Sequence, residues 1–277
     1  MIIGFLGKGG SGKSTTSTLM TKFLHEQGNT VLAVDADHNM DLSYNLGFNG
    51  DGPYIGGTFA LLKEKMGIAD DESVDRLFVG GIPERRFTLT PKDAYTENNT
   101  AMIKKNMHLM MAGPQNEQVL YGSHCSHSLA APLKIYLPLL TLSPGEYVIV
   151  DEKASVDAVT TGIPAGFDLA VVCAEPREHS LRVAKQIIEM LEWYDVPYMT
   201  VLNKSTGEES LRTAEIALGK VTDVVIETGA DPLLLTQKTR SELSRIVEHA
   251  HAVSTPNTTR LERTQRKSER NIKHREK

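Results

Sequence analysis

Short apolar runs alternate with amphipathic stretches along most of the chain. The apolar runs are rich in β-branched residues and predict strands at Ile2–Leu6, Val31–Val34, Met107–Met111, Tyr147–Val150, Leu169–Cys173, Tyr198–Leu202 and Val221–Ile226. Apolar positions at helical spacing lie between them, most clearly over Ser14–Gln27, Glu178–Trp193 and Glu208–Leu218. Because continuous apolar strands are buried on both faces, the pattern predicts an α/β fold with a doubly wound, mostly parallel sheet.

Residues 48–105 interrupt this regular alternation. The segment "GTFALLKEKMG" predicts a helix, whereas the polar, proline-containing stretch Gly81–Asn99 predicts a mobile excursion over the surface. With 277 residues and 40% hydrophobic content, the chain is long enough for one substantial core. We therefore expect one domain over residues 1–253.

Composition and charge limit the cellular compartments and binding partners that we expect for this protein. The formal net charge of −5 gives no general attraction to nucleic acid or membrane, and 2 cysteines are too few for a disulfide scaffold. No stretch approaches the roughly 18 apolar residues of a membrane span, and the start of the chain lacks the features of a signal peptide. These features predict a soluble cytoplasmic protein with no membrane attachment.

Residues 254–277 differ in composition from the rest of the chain. They carry eight basic and three acidic residues, with Leu261 and Ile272 as the only large apolar side chains. Such a composition buries little apolar surface, so we expect a basic tail that is disordered or a frayed helix. Its charge offers the one route by which nucleic acid would bind.

A glycine-rich loop follows the first predicted strand and opens the first predicted helix. Gly7, Gly12, Lys13 and Ser14 fit the pattern G-x-x-x-x-G-K-[ST]. In such a loop, backbone N–H groups surround the β-phosphate, the lysine reaches the β- and γ-phosphates, and the serine hydroxyl ligates Mg²⁺. The pattern predicts binding of ATP with Mg²⁺ by Gly9, Gly10, Ser11, Gly12, Lys13, Ser14 and Thr15.

A second lysine, Lys8, goes beyond that pattern. The stretch "KGGSGKST" resembles the deviant P-loop of the MinD/ParA class, which includes the nitrogenase iron protein and the CooC-type nickel-insertion ATPases. The resemblance implies a P-loop NTPase fold with nitrogenase iron protein-like topology, and ATP hydrolysis by a homodimer. It also implies that Lys8 reaches the phosphates of the partner subunit's nucleotide, so that ATP binding favours dimerisation.

Two further stretches match the switch regions of the same class. In "VLAVDADHNMDLSYNLG", Asp37 stands where the family has the residue that orients the attacking water, and Asp35 would lie nearer the metal. Helix capping is the alternative explanation for both carboxylates. Asp151 ends the apolar run "EYVIVD", where the family holds Mg²⁺ through water.

The second switch departs from the family pattern, since Ala154 is followed by Ser155 where a glycine is usual. A positive φ at that position would cost a serine about 1 kcal/mol. Further along, "YMTVLNKST" places Asn203 and Lys204 after a strand, where the resemblance implies contact with the adenine ring.

The segment "GSHCSHS" carries the candidate ligands for a transition metal. It stands where CooC-type ATPases have a C-x-C that binds nickel between two subunits, with Cys125 at the first position and His127 at the second. One cysteine and one histidine from each subunit would form a four-ligand set suited to Ni²⁺ or Zn²⁺. An incidental or structural cysteine explains the segment equally well.

The resemblance therefore favours a CooC-like ATPase that assists metal insertion into a client metalloenzyme. A partitioning or positioning ATPase that acts on DNA or on a protein partner is the alternative. A nitrogenase-like reductase is less favoured because it needs two cluster-binding cysteines per subunit, and Cys173 lies within an apolar strand.

Overall fold

The sheet forms the centre of the molecule. The computed structural model describes residues 1–115, 126–220, 222–226, 231–253 and 257–275. The strands are β1 (Ile2–Gly7), β2 (Thr30–Asp35), β3 (Phe87–Thr88), β4 (Ala101–Lys104), β5 (Met107–Met111), β6 (Leu140–Thr141), β7 (Glu146–Asp151), β8 (Leu169–Ala174), β9 (Tyr198–Asn203) and β10 (Val224–Ile226). Eight of them form one sheet in the order β10-β9-β8-β1-β7-β2-β5-β4, and β3 pairs with β6 apart from it.

Every pairing in the large sheet is parallel except that of β4 with β5. The α-helices of the described residues are α1 (Lys13–Glu26), α2 (Asp41–Asn45), α3 (Phe59–Lys65), α4 (Asp75–Phe78), α5 (Ala94–Asn98), α6 (Leu133–Leu139), α7 (Asp157–Thr160), α8 (Glu178–Trp193), α9 (Glu208–Leu218), α10 (Gln237–Val253) and α11 (Asn257–Arg275). The predicted doubly wound, mostly parallel α/β fold is confirmed.

Two apolar layers explain why the central strands are apolar without interruption. Along β1, Ile2 and Leu6 join the core cluster on one face of the sheet. The intervening residues Ile3 and Phe5 join the cluster on the other face, together with Leu19 of α1. Since successive strand residues point to opposite faces, helices on both sides bury the whole strand.

The region between β2 and β5 is more ordered than its composition indicates. The predicted helix in "GTFALLKEKMG" is present as α3. The expected surface excursion over residues 81–99 instead contributes Phe87 and Tyr95 to the core, with 1% and 8% of their surfaces exposed. Both rings pack against Tyr136, at centroid distances of 5.1 and 5.6 Å. Aromatic packing therefore holds this mostly polar segment against the core.

The basic tail also differs from the expectation of a disordered or frayed end, because residues 257–275 form α11 and pack against the body of the protein. Arg260 Nη1 donates to both carboxylate oxygens of Asp168 at 2.8 Å, and Lys267 Nζ lies 3.2 Å from Asp75. Leu261 is 4% exposed. Long basic side chains bury their aliphatic stems while their charged ends pair, so a helix with few apolar residues can still pack.

No helix within the described ranges combines the length and apolarity needed to cross a bilayer.

Candidate functional site

The glycine-rich loop lies at the carboxyl end of β1, in the middle of the sheet, and leads into α1. Gly12 precedes the helix with φ of 90° and offers no side-chain cap, so the first N–H groups of α1 are free for a ligand. Gly7 has φ of 149°, and a Cβ there would lie 2.3 Å from the Cys173 carbonyl oxygen. The loop therefore has the backbone that a phosphate cradle requires.

Two side chains from the end of β9 and the residue after it hold this loop in place. Asn203 Nδ2 donates to the Ser11 carbonyl at 2.8 Å and to Thr16 Oγ1 at 3.2 Å. Lys204 Nζ donates to the Gly10 carbonyl at 2.7 Å. Both residues thus brace the loop, a role that the sequence analysis missed. Their contact with adenine stays a prediction.

Lys13 and Asp151 bring opposite charges together at the start of α1. Lys13 is 6% exposed and Asp151 is 1% exposed. Burial raises the pKa of Asp151 to about 6, although the Lys13 ammonium acts in the opposite direction. A buried carboxylate next to a lysine and a serine hydroxyl is the arrangement predicted for the phosphate and metal ends of a nucleotide site.

The Asp151 carboxylate fits a role in holding Mg²⁺. Both oxygens are buried and neither makes a hydrogen bond of normal geometry among the described residues, although the Ser14 hydroxyl lies near enough to favour the charged form. Buried polar atoms are rarely left without a partner, and magnesium with its coordinated waters would provide one. Ser14 begins α1 beside Lys13 and offers the hydroxyl ligand. The donor set present therefore suits Mg²⁺.

The first switch contains two carboxylates in different environments. Asp35 is fully buried and its Oδ2 accepts hydrogen bonds from Ser43 N at 2.8 Å and Ser43 Oγ at 2.7 Å. Burial and the nearby Asp151 carboxylate raise the pKa of Asp35 to about 7. These contacts tie Asp35 to Ser43 within α2, whereas the N-cap position of that helix is Met40.

Asp37 is held differently from Asp35. Its Oδ1 accepts from Asn39 N at 3.2 Å and lies 3.2 Å from His38 Nδ1, so both local contacts fall on one oxygen. The other oxygen remains for a further partner. The structure thus leaves Asp37 able to bind a water molecule, and its water-orienting role stays a prediction.

Ser155 occupies the position where the resemblance led us to expect a glycine. Its φ is 98°, a conformation that side chains disfavour. Its N–H donates to the Gly7 carbonyl at 3.1 Å, which ties the second switch to the start of the phosphate loop. The serine therefore adopts the backbone conformation of a glycine at an energetic cost.

Lys8 lies on the outer side of the same loop. Its ammonium donates to the Gly9 carbonyl at 3.3 Å, and it has no carboxylate partner within the part of the chain that the structure describes. Because Lys8 makes no ion pair among the described residues, its partly exposed side chain can turn toward a second subunit, as the resemblance implies.

Glu152 was missed by the sequence analysis, although it directly follows the strand-ending Asp151. It is 1% exposed, and burial raises its pKa to about 8. Its Oε1 has no hydrogen-bond partner among the described residues. The pair of consecutive carboxylates in "VDEKAS" was the available signal.

The proposed transition-metal ligands lie outside what the structure describes. Cys125 falls in the gap at residues 116–125, and the side chain of His127 is likewise not described. Elsewhere in the described ranges, no group of three or more histidine, cysteine or acidic side chains could hold a metal ion. Cys173 is fully buried, and burial raises its pKa to about 12, which confirms its place in the core.

Comparison with known proteins gives two informative relatives. An uncharacterized ATP-binding protein of Methanocaldococcus jannaschii is 31% identical over 214 residues, which cover 75% of this chain and 80% of the relative. The carbon monoxide dehydrogenase accessory protein CooC of Rhodospirillum rubrum is 26% identical over 191 residues, covering 68% of this chain and 67% of CooC.

Solved structures share the fold. The septum site-determining protein MinD of Pyrococcus horikoshii, in complex with Mg-ADP, superposes with a TM-score of 0.55 at 17% identity, covering 95% of this chain and 93% of MinD. The model of the CobQ/CobB/MinD/ParA nucleotide binding domain matches residues 2–264. This chain therefore belongs to the CobQ/CobB/MinD/ParA nucleotide binding domain family.

Proposed function

We propose that this protein is an ATPase that hydrolyses ATP to ADP and phosphate as a nucleotide-gated homodimer. The observation that carries the proposal is the buried Asp151 carboxylate, without a hydrogen-bond partner in the described structure, beside Lys13 at the phosphate loop. A loop that served only as a connection between strand and helix would have no reason to bury these groups together.

In this proposal, the N–H groups of the loop and of the first turn of α1 surround the β-phosphate. Lys13 donates to the β- and γ-phosphate oxygens, and Ser14 and Asp151 would hold Mg²⁺. The ion neutralises charge on the phosphate oxygens when it is bound. Asp37 accepts a hydrogen bond from the attacking water with its free oxygen and so orients that water toward the γ-phosphate.

Lys8 links the nucleotide to dimerisation. Two loops that face each other bring two sets of phosphates together, and this repulsion opposes association unless cations lie between them. A lysine from each subunit that contacts the partner's phosphates replaces this electrostatic repulsion with an attraction. ATP therefore stabilises the dimer, and hydrolysis weakens it.

The finer proposal is that the ATPase assists the insertion of a metal, nickel first among the candidates, into a client metalloenzyme. The identity with CooC supports it, as does the spacing of Cys125 and His127, which would bring two thiolates and two imidazoles together in a dimer. The alternative is a partitioning or positioning ATPase, supported by the fold shared with MinD. Both candidates use the same nucleotide site.

The nucleotide site is tested by phosphate release from ATP and Mg²⁺. We expect Lys13→Ala to lose turnover, since its ammonium makes charge-assisted contacts with the phosphates. Lys22→Ala is the matched control because Lys22 lies on the same helix, away from the loop. Unchanged turnover in Lys13→Ala would contradict the assignment of the site.

The two candidate roles are separated by equilibrium dialysis against Ni²⁺ and Zn²⁺, with and without a non-hydrolysable ATP analogue. The metal-insertion role predicts one ion per dimer and loss of binding in Cys125→Ala, because the thiolate is the softest ligand of the set. Wild-type protein that binds no more metal than Cys125→Ala favours the partitioning or positioning role.

A further inference from the structure

A cationic cleft separate from the nucleotide loop lies where α11 crosses α4, α6 and the end of α7. Its cations are Lys134 of α6 and Lys267 and Arg275 of α11, and its carboxylates are Asp75 of α4 and Glu72. The cleft has a volume of about 240 Å³. None of its lining residues belongs to the phosphate loop.

The charges in this cleft do not cancel. Asp75 is shared by Lys267 Nζ at 3.2 Å and Arg275 Nη2 at 3.3 Å, so one carboxylate faces two cations. Glu72 also lines the cleft, but it forms an ion pair with Arg76 at 3.7 Å. Lys134 has no ion-pair or hydrogen-bond partner in the described ranges. With Glu72 and Arg76 cancelling each other, three cations against Asp75 leave an excess of about two positive charges.

The unpaired lysine carries an energetic penalty. Burial and the nearby Lys267 ammonium lower the pKa of Lys134, whereas the carboxyl groups of Asp75 and Glu152 act in the opposite direction without restoring it. Lys267 itself is 9% exposed, and it is held in place by Asp75. Lys134 is half-buried, and the carboxyl groups of Asp75 and Glu152 act on it without forming a direct ion pair, so an anion in the cleft would stabilise its charged form.

We propose that this cleft binds a small phosphate-type dianion, presented either as inorganic phosphate or as the phosphate group of a small phosphomonoester. A phosphate group carries about −1.5 to −2 charges at pH 7, which matches the excess positive charge. The volume is below the roughly 300 Å³ at which pockets begin to hold drug-sized ligands, so a compact anion fits better than a nucleotide.

The position of the cleft links the anion to the second switch. Thr160 ends α7, which begins two residues after Ser155. Two residues after Thr160, a Cβ added at Gly162 would lie 2.4 Å from Lys267 Nζ. The Lys267 side chain therefore packs directly on the segment that follows α7. An anion bound by Lys134 and Lys267 would therefore bridge α6 and α11 beside the segment that follows α7.

Isothermal titration calorimetry of the full chain tests the proposal. The protein is first saturated with Mg²⁺ and a non-hydrolysable ATP analogue, which fills the phosphate loop, and is then titrated with inorganic phosphate or with glycerol 3-phosphate. We expect saturable binding of one dianion per chain. The ligand that binds more tightly identifies which source of the phosphate group the cleft prefers.

Variants assign the binding to the cleft. Lys134→Gln should weaken binding at least ten-fold, because the unpaired ammonium is the strongest contact offered to the anion. Lys185→Gln, on the exposed side of α8, is the matched control and should bind as the wild type does. Circular dichroism checks that both variants are folded. Absence of saturable binding in the wild type, or equal affinity in folded Lys134→Gln, would overturn the proposal.

Discussion

The ion pair between Arg260 and Asp168 should decide whether α11 stays attached to the protein. Their side chains are 3% and 1% exposed, and Arg260 also donates to the Leu140 carbonyl at 2.8 Å. We consider Arg260→Met, which keeps much of the aliphatic stem and removes the charge. Among the described residues, the Asp168 carboxylate then keeps the Ile2 N–H as its hydrogen-bond donor, and Arg263 is the basic side chain still near it.

The size of the effect follows from burial. Removing one partner of a buried ion pair costs about 3–5 kcal/mol, because the other charge is left without compensation. An exposed pair contributes about 0–1 kcal/mol. The same helix provides such a pair, since Arg266 and Asp195 are 49% and 56% exposed and lie 3.7 Å apart. We therefore expect Arg266→Met to change the free energy of unfolding by less than about 1 kcal/mol.

Urea denaturation followed by far-ultraviolet circular dichroism measures both variants. With a slope of about 3 kcal/mol/M, the loss in Arg260→Met moves the midpoint by roughly 1 M or more. Trp193, the one tryptophan of the chain, reports on the docking of α11, because the Arg270 guanidinium lies 5.1 Å from the centre of its ring. Its fluorescence should change in Arg260→Met.

The comparison between the two arginines can refute the reasoning. If Arg260→Met and Arg266→Met have the same free energy of unfolding within about 1 kcal/mol, the Arg260 pair behaves as a solvated one. The tail would then be the separate basic segment that its composition indicates, and the packing of α11 would have no energetic importance.

Three further predictions concern the nucleotide site and the core. Asp37→Ala should bind ATP normally yet hydrolyse it at least about 100-fold more slowly in a phosphate-release assay, and near-normal turnover would place the water-orienting group elsewhere. In the Asp37→Ala background, Lys8→Ala should elute as a monomer from gel filtration in ATP, so an ATP-dependent dimer would exclude the proposed contact. Cys173 should resist thiol reagents in native Cys125→Ser protein, since its pKa is raised to about 12, and rapid labelling before denaturation would contradict its burial.

The parts of the fold that rest on local apolar patterns were predictable from the sequence. The β1 strand and the phosphate loop are contiguous, so a short motif determines both the strand end and the helix start. The fully apolar run at β8 likewise specified a strand buried on both faces. Periodicity was sufficient there because each element is defined by its own residues.

The remaining features depend on contacts between residues far apart in sequence. Arg260 and Asp168 are 92 positions apart, and nothing in either local sequence indicates that the two charges meet. The same holds for Asn203, whose amide braces a loop 192 positions earlier. Composition shows that the tail is poor in apolar residues, but it does not show which buried carboxylates elsewhere in the chain form ion pairs with the basic residues of the tail.

The backbone conformation of Ser155 affects the equilibrium population of the second switch in the conformation described above. A cost of about 1 kcal/mol lowers the population of a conformer about five-fold relative to one without strain. With φ of 98° at a residue that carries a side chain, the switch is biased toward alternatives that relieve the strain. A serine at this position therefore shifts the balance between the backbone conformations of this turn, because the strain is relieved only when its φ changes.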